Sequence, residues 1–94
     1  FLVLILFSAI VEEVLFRGAI QTILRGVLRQ TWPAVIGSSL LWALAHAGYV
    51  EPYGLKEFQI LVLGLFIGLA YERYGLRGAI GIHAANNLMS MILE

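Results

Sequence analysis

Four long apolar stretches, separated by short polar breaks, make up most of the sequence. They span residues 1–29, 31–48, 57–74 and about 78–93. Runs of this length are too long for strands and have the length of helices that cross a membrane. The pattern therefore predicts an all-α fold, a polytopic transmembrane bundle of about four helices.

The residues at the breaks are those that commonly begin and end helices. Thr31 is the expected N-cap of the second helix, with Pro33 in its first turn. Gly75 is the expected C-cap of the third helix. Residues 49–56 contain a proline and a glycine, and we expect them to form a loop.

Small residues recur at four-residue spacing in the second and third helices. Gly64 and Gly68 form a GxxxG pattern, and Ala34 and Ser38 repeat the spacing. Such positions let two helix backbones approach closely, although glycine is also simply tolerated in membrane helices. In the first helix, Gly18 is a candidate kink.

The positively charged residues predict a topology. Gln21, Arg25 and Arg29 are spaced by four, which predicts an amphipathic end of the first helix at the membrane interface. Arg73 and Arg77 follow the third helix, so both arginine-bearing connections are expected on one side of the bundle. The positive-inside rule places that side in the cytoplasm.

Composition agrees with a membrane protein. Of the 94 residues, 61% are hydrophobic and 13% are charged, and the mean hydropathy is +0.90; soluble domains have roughly 45–50% and 25%. A net charge of zero gives no indication of a nucleic-acid partner, and the absence of cysteine excludes a thiolate metal site. Because the sequence begins inside an apolar run, we expect an excerpt of a larger membrane domain.

Three charged residues interrupt the first apolar stretch. Glu12, Glu13 and Arg17 lie where each charge costs at least ~2.5 kcal/mol at bilayer depth. Glu13 and Arg17 are four residues apart, so they share a helix face and can pair. Glu12 points about 100° away and lacks that partner. We interpret Glu12 as a general base or acid and the Glu13–Arg17 pair as its brace.

Costly polar residues also occur in the second and fourth helices. The second helix contains His46, and the fourth contains His83 and Asn87. His83 and Asn87 are four residues apart, so they share a helix face. Taken alone, His46 could lie at the interface, and His83 with Asn87 could form interhelical hydrogen bonds. Intramembrane ionisable residues usually face the bundle interior, and their occurrence on three helices favours a shared site with Glu12. Because His83 lies nearer a helix end, convergence requires a tilt, a kink or an inward loop.

Three motifs, in this order, resemble those of a known family. EEVLFR at residues 12–17 resembles EExxxR, WALAH at 42–46 resembles FxxxH with Trp42 where Phe is usual, and HAANN at 83–87 matches HxxxN. This set is that of the CaaX-protease and bacteriocin-processing family of intramembrane proteases, also called the Abi family. The resemblance covers essentially the whole chain.

The resemblance implies that residues 1–94 belong to a transmembrane catalytic domain, truncated at both ends. Carried over by position, Glu12 and His46 would activate a water, while His83 and Asn87 would stabilise the oxyanion. A metal is left open, because Glu12, His46 and His83 could form a two-histidine, one-carboxylate site for a divalent ion such as zinc. No HExxH helix is present, and an amide at position 87 suits an oxyanion hole better than a ligand sphere. We therefore favour a water-activating pair.

The expected partners are membrane lipid and a peptide or protein substrate. The resemblance implies prenylated CaaX C-termini, or leader-type peptides such as those of bacteriocins, as substrates of the endopeptidase. Two other functions stay open. One is a non-catalytic membrane scaffold or immunity protein that binds a partner through the same cavity. The other is a proton or ion pathway, because Glu, His and Asn side chains also form relays in membranes.

Overall fold

The computed structural model describes residues 2–47 and 54–93, and the regular structure within these ranges is helical. The first apolar stretch forms one continuous helix in three parts: α1 (Leu2–Glu13), a π-helical segment (Val14–Gln21) and α2 (Thr22–Leu28). It is followed by α3 (Thr31–Ala45), α4 (Leu55–Tyr74) and α5 (Leu76–Leu93). The predicted all-α class and the division into four helical stretches are confirmed for these residues.

The transmembrane placement expected from the sequence stays a prediction. Within residues 2–47 and 54–93, no helix combines the length and the apolarity that crossing a membrane requires.

The helix ends agree with the expected signals to within a few residues. Gly75 ends α4 with a φ of +77°, and its N–H donates to the Tyr71 carbonyl at 2.8 Å. The expected N-cap role of Thr31 is wrong by one position, because Thr31 is the first residue of α3. Helix α3 ends at Ala45, earlier than expected. Most of the predicted loop 49–56 lies outside the described residues.

The π-helical segment keeps three polar side chains on one interior face. Glu13, Arg17 and Gln21 are four residues apart, and all three are fully buried. In a regular α-helix, residues four apart drift by about 40° around the axis. In the π-helical segment the Thr22 backbone N–H reaches the Arg17 carbonyl, five residues back, and this wider turn offsets the drift. The sequence predicts a kink at Gly18, which lies within this π-helical segment, and the kink itself stays a prediction.

Gln21 does not lie on the predicted interfacial polar stripe, and that expectation is wrong. Its Nε2 donates to the Gly68 carbonyl at 3.0 Å and to Glu72 Oε2 at 3.1 Å, and its Oε1 accepts from Ser38 Oγ at 3.1 Å. These bonds satisfy an amide that would otherwise be costly to bury. Arg25 of the same stripe pairs with Glu72 at 3.3 Å. The ends of α2 and α4 therefore lie at the same end of the bundle.

The two GxxxG glycines lie where α4 packs closely against α3. A Cβ atom on Gly64 would lie 2.9 Å from Trp42 Cε3 and 3.2 Å from Ser39 Cβ. A Cβ atom on Gly68 would lie 2.9 Å from Val35 Cγ1. All three distances are shorter than ordinary van der Waals contact, so the small residues permit the approach of the two helices.

Replacement of Gly68 by alanine is expected to destabilise the fold by about 1–3 kcal/mol, because the added methyl overpacks the α3–α4 contact. Gly81→Ala is the matched control, since nothing lies within 4 Å of its Cβ position. Alanine also has the higher helix propensity, by about 1 kcal/mol. The measurement is the free energy of unfolding of the full-length protein. Equal stability of the two variants would show that Gly68 does not make the close contact.

Candidate active site

Helices α1, α3 and α5 bring the predicted site residues to one cavity. The cavity has a volume of about 310 Å³, and its wall includes Glu12, His46, His83 and Asn87. Glu12 Oε1 lies 3.5 Å from His46 Nε2 and 4.0 Å from His83 Nε2. The first, second and fourth helical stretches thus contribute to a single polar site. The geometry does not test what these residues do.

Glu12 is held with its carboxylate toward this cavity. Its side chain is 28% exposed. Oε1 accepts a hydrogen bond from Trp42 Nε1 at 3.0 Å, and Oε2 accepts one from Ser8 Oγ at 3.0 Å. The sequence correctly separates Glu12 from the neighbouring ion pair, but it misses these two donors. The carboxylate is therefore oriented by protein hydrogen bonds and still accessible from the cavity.

The orientation of His46 follows from the way in which α3 ends. In the last turn of α3, the His46 N–H donates to the Ala43 carbonyl, three residues back, at 3.1 Å. The Trp42 carbonyl is then available to the imidazole, and His46 Nδ1 lies 2.7 Å from it. Because a carbonyl only accepts, Nδ1 carries the proton. In the neutral ring, Nε2 therefore presents a lone pair toward Glu12.

His83 is oriented by the neighbouring, fully buried carboxylate. Its Nδ1 lies 2.6 Å from Glu13 Oε2, and the same oxygen pairs with Arg17 Nη1 at 3.4 Å. Arg17 Nη2 donates in turn to the Gly64 carbonyl at 2.9 Å. The Glu13–Arg17 pair is present, and its role as a brace for Glu12 stays a prediction. The pair makes its direct hydrogen bond to His83, because the chain turns Glu13 inward while Glu12 faces the cavity.

Asn87 lies one turn beyond His83 on α5, in the same cavity wall, and is half-buried. Asn86 and Lys56 also reach this wall. The cavity therefore has an acidic and imidazole-bearing part, formed by α1, α3 and α5, and a second polar part that contains an amide and a cation.

The sequence leaves open a metal site formed by Glu12, His46 and His83. Imidazole and carboxylate are suitable ligand types for zinc. Within residues 2–47 and 54–93, however, no group of three or more His, Asp or Glu side chains is arranged so that it could hold a metal ion. Glu12 Oε1 nevertheless lies near the Nε2 atoms of both His46 and His83, so the question of a metal stays open.

Two residues of the site were missed by the sequence interpretation. Ser8 is the only polar residue upstream of Glu12 and precedes it by four, which is the spacing of a shared helix face. The spacing of Ser8 and Glu12 could therefore have indicated this contact from the sequence. Trp42 was noted only as an aromatic residue at a position where Phe is usual. Nothing in the sequence indicates that its indole N–H meets a carboxylate thirty residues away.

The comparisons with known proteins agree with the three motifs. The family model described as type II CAAX prenyl endopeptidase Rce1-like matches residues 1–89. The sporulation-killing factor biosynthesis protein SkfC of Bacillus subtilis (strain 168) is 27% identical over 84 residues, which cover 87% of this chain. The chain spans only 17% of the length of that relative. No solved structure matches the chain.

The resemblance inferred from the ordered motifs is therefore confirmed. The chain belongs to the Rce1-like family of type II CAAX prenyl endopeptidases, a family of proteases.

Proposed function

We propose that this chain contains the catalytic centre of an intramembrane endopeptidase, in which Glu12 and His46 activate a water. The observation that carries the proposal is the 3.5 Å separation of Glu12 Oε1 and His46 Nε2 at the cavity wall. Both atoms are hydrogen-bond acceptors when Glu12 is ionised and His46 is neutral. A water that donates to both is therefore bound and polarised at this point.

The reaction follows from these positions. The bound water loses a proton to Glu12 as its oxygen forms a bond to the carbonyl carbon of the peptide. Negative charge develops on the carbonyl oxygen, which His83 Nε2 and the Asn87 amide stabilise. The C–N bond then breaks, and the proton held by Glu12 passes to the leaving amine.

The role assigned to His83 requires a proton on Nε2. Its Nδ1 lies 2.6 Å from Glu13 Oε2, and its Nε2 lies on the side of Glu12. A buried carboxylate beside Nδ1 holds the orientation of the ring. Glu13 is therefore proposed as a positioning residue for His83, and Arg17 as the residue that holds Glu13.

We also propose that the bundle lies in a lipid bilayer, with the arginine-bearing end in the cytoplasm. Large apolar side chains are exposed on its outer faces, including Val3 at 77%, Leu4 at 69% and Val27 at 73%. Apolar surface of this extent is typical of a protein surrounded by lipid or by further helices. The contact between Arg25 and Glu72 supports a common end for the two arginine-bearing connections.

The proposed substrates are membrane-associated peptides. The description of the family favours prenylated CaaX-type C-termini, and the name of the Bacillus relative favours a peptide precursor in killing-factor biosynthesis. Cleavage of either substrate requires the same water-activating pair. The two substrate classes are distinguished by assaying purified full-length protein with one peptide of each kind.

Glu12→Gln and His46→Ala in the full-length protein are each expected to abolish cleavage of a membrane-tethered peptide without loss of expression. The first substitution removes the proton acceptor, and the second removes the second acceptor for the water. Glu57→Gln is the matched control, because Glu57 binds the backbone N–H of Gly54 at 2.9 Å, at the start of α4, outside the proposed catalytic set. The measurement is the rate of product formation in proteoliposomes.

Normal cleavage by both variants would contradict the assignment of the water-activating pair. A Glu12→Gln variant that is inactive as a protease but still restores the host phenotype would instead favour a scaffold.

The two adjacent glutamates are expected to differ in their effect on stability. Glu13→Gln leaves Arg17 buried without its charge partner, which is expected to cost about 3–5 kcal/mol. Glu12→Gln retains an oxygen that accepts from Trp42 or Ser8, so the expected cost is about 1 kcal/mol. The measurement is the unfolding midpoint of each purified variant. If Glu13→Gln were as stable as Glu12→Gln, Glu13 would not hold the buried network together.

A further inference from the structure

Trp42 contacts both members of the proposed water-activating pair, through different groups. Its indole Nε1–H donates to Glu12 Oε1 at 3.0 Å. Its backbone carbonyl accepts from His46 Nδ1 at 2.7 Å. One residue therefore fixes the carboxylate through its side chain and the imidazole through its main chain.

The indole ring also packs between the two histidines. Its centroid lies 5.3 Å from that of His46 at an interplanar angle of 78°, and 5.3 Å from that of His83 at 67°. Both are edge-on arrangements, which aromatic rings favour over face-to-face stacking. The Arg17 guanidinium lies 4.8 Å from the centroid of the same ring. The ring thus limits the tilt of both imidazoles.

The indole has little freedom to move from this position. Trp42 is only 3% exposed. On the α4 side, the hypothetical Cβ atom of Gly64 would lie 2.9 Å from Trp42 Cε3, so the backbone of α4 packs directly on the ring. Any residue larger than glycine at position 64 would displace the ring or α4. The absence of a side chain at position 64 provides the space that an indole needs.

The hydrogen bond to Glu12 is the contact that a simple packing role does not require. The oxygen that accepts it is also the one nearest to both imidazole Nε2 atoms, at 3.5 and 4.0 Å. The two acceptor atoms Glu12 Oε1 and His46 Nε2 would otherwise face each other with no fixed donor. Rotation of the carboxylate would relieve this crowding, and the indole N–H opposes that rotation. Ser8 holds only the other oxygen.

We propose that Trp42 is a positioning residue whose indole N–H fixes Glu12 Oε1 in the direction of His46. This inference rests on the proposed function, because it assigns to Trp42 the alignment of the pair that activates water. It also distinguishes the tryptophan of this chain from the phenylalanine that is usual at this position: phenylalanine fills part of the space and contacts the imidazoles, but it has no donor for Glu12.

The test compares Trp42→Phe with Trp32→Phe in the full-length protein. Trp42→Phe is expected to lower kcat by about 10- to 100-fold with KM little changed, because substrate still binds while the carboxylate is misaligned. Trp32 is 57% exposed and distant from the site, so Trp32→Phe is expected to leave both parameters unchanged. Wild-type kcat in Trp42→Phe would overturn the proposal.

A second measurement detects the hydrogen bond in protein that retains Trp42. In protein labelled with ¹⁵N-tryptophan, the signal that disappears in Trp42→Phe and the one that disappears in Trp32→Phe assign the indole N–H groups of these residues. Glu12→Ala removes the acceptor, so it is expected to move the Trp42 signal upfield and to leave the Trp32 signal in place. An unchanged Trp42 signal would overturn the proposal even if Trp42→Phe were inactive through misfolding.

Different results would contradict the proposed function and the positioning role of Trp42. If Glu12→Gln and His46→Ala still cleave, the proposed function is wrong whatever the indole signals show. If those variants are inactive but Trp42→Phe has wild-type kcat, only the positioning role is wrong.

Discussion

The rest of the structure depends on the burial of one carboxylate. Glu13 is fully buried on the first helical stretch, and a single one of its oxygens contacts both Arg17 and His83. Arg17 then reaches the Gly64 carbonyl of α4, while His83 belongs to α5. A buried charge is tolerated only when it is paired and hydrogen-bonded. The positions of α4 and α5 relative to the first helix are therefore tied to this network.

Because of this constraint, the adjacent residues Glu12 and Glu13 lie in different environments. Glu13 is enclosed and committed to its partners, whereas Glu12 is 28% exposed in the cavity wall. Adjacent positions on a helix point about 100° apart, which sends one carboxylate into the bundle and the other to the cavity. The enclosed group orients a histidine, and the exposed group is available to a water and a substrate. A double-glutamate motif thus supplies a structural anchor and a proposed proton acceptor from one turn.

Much of the fold could be predicted from the sequence, because it depends on local signals. The apolar stretches, Gly75 as a helix terminus and the i, i+4 pairing of Glu13 with Arg17 all follow from helical spacing. For Gly64 and Gly68 the spacing left close packing and simple tolerance of glycine both open, and the contact with α3 came only from the structure. The motif order was sufficient to identify the family. Contacts between distant segments were less accessible: Gln21 was assigned to a surface stripe because its partners Ser38, Gly68 and Glu72 lie on other helices.

The candidate site shows the same limit for the hydrogen-bond partners of its residues. Its four predicted residues were found by asking which side chains are costly in an apolar segment, and that question does not identify their hydrogen-bond partners. The π-helical segment has no local signature beyond a glycine, yet it aligns Arg17 and Gln21 with Glu13. The hydrophobicity of Trp42 indicates only a core residue, and its contact with Glu12 is seen only in the folded structure. Such partners decide whether the site is merely polar or is organised for one reaction.

The most direct test of the water-activating pair is a structure of the full-length protein with an uncleaved peptide analogue, with anomalous data collected at the zinc edge. The account predicts an oxygen within hydrogen-bond distance of Glu12 Oε1 and His46 Nε2, with the peptide carbonyl toward His83 and Asn87 and no anomalous peak. A carboxylate at position 12 turned out toward lipid, or a metal ion bound by Glu12, His46 and His83, would contradict it.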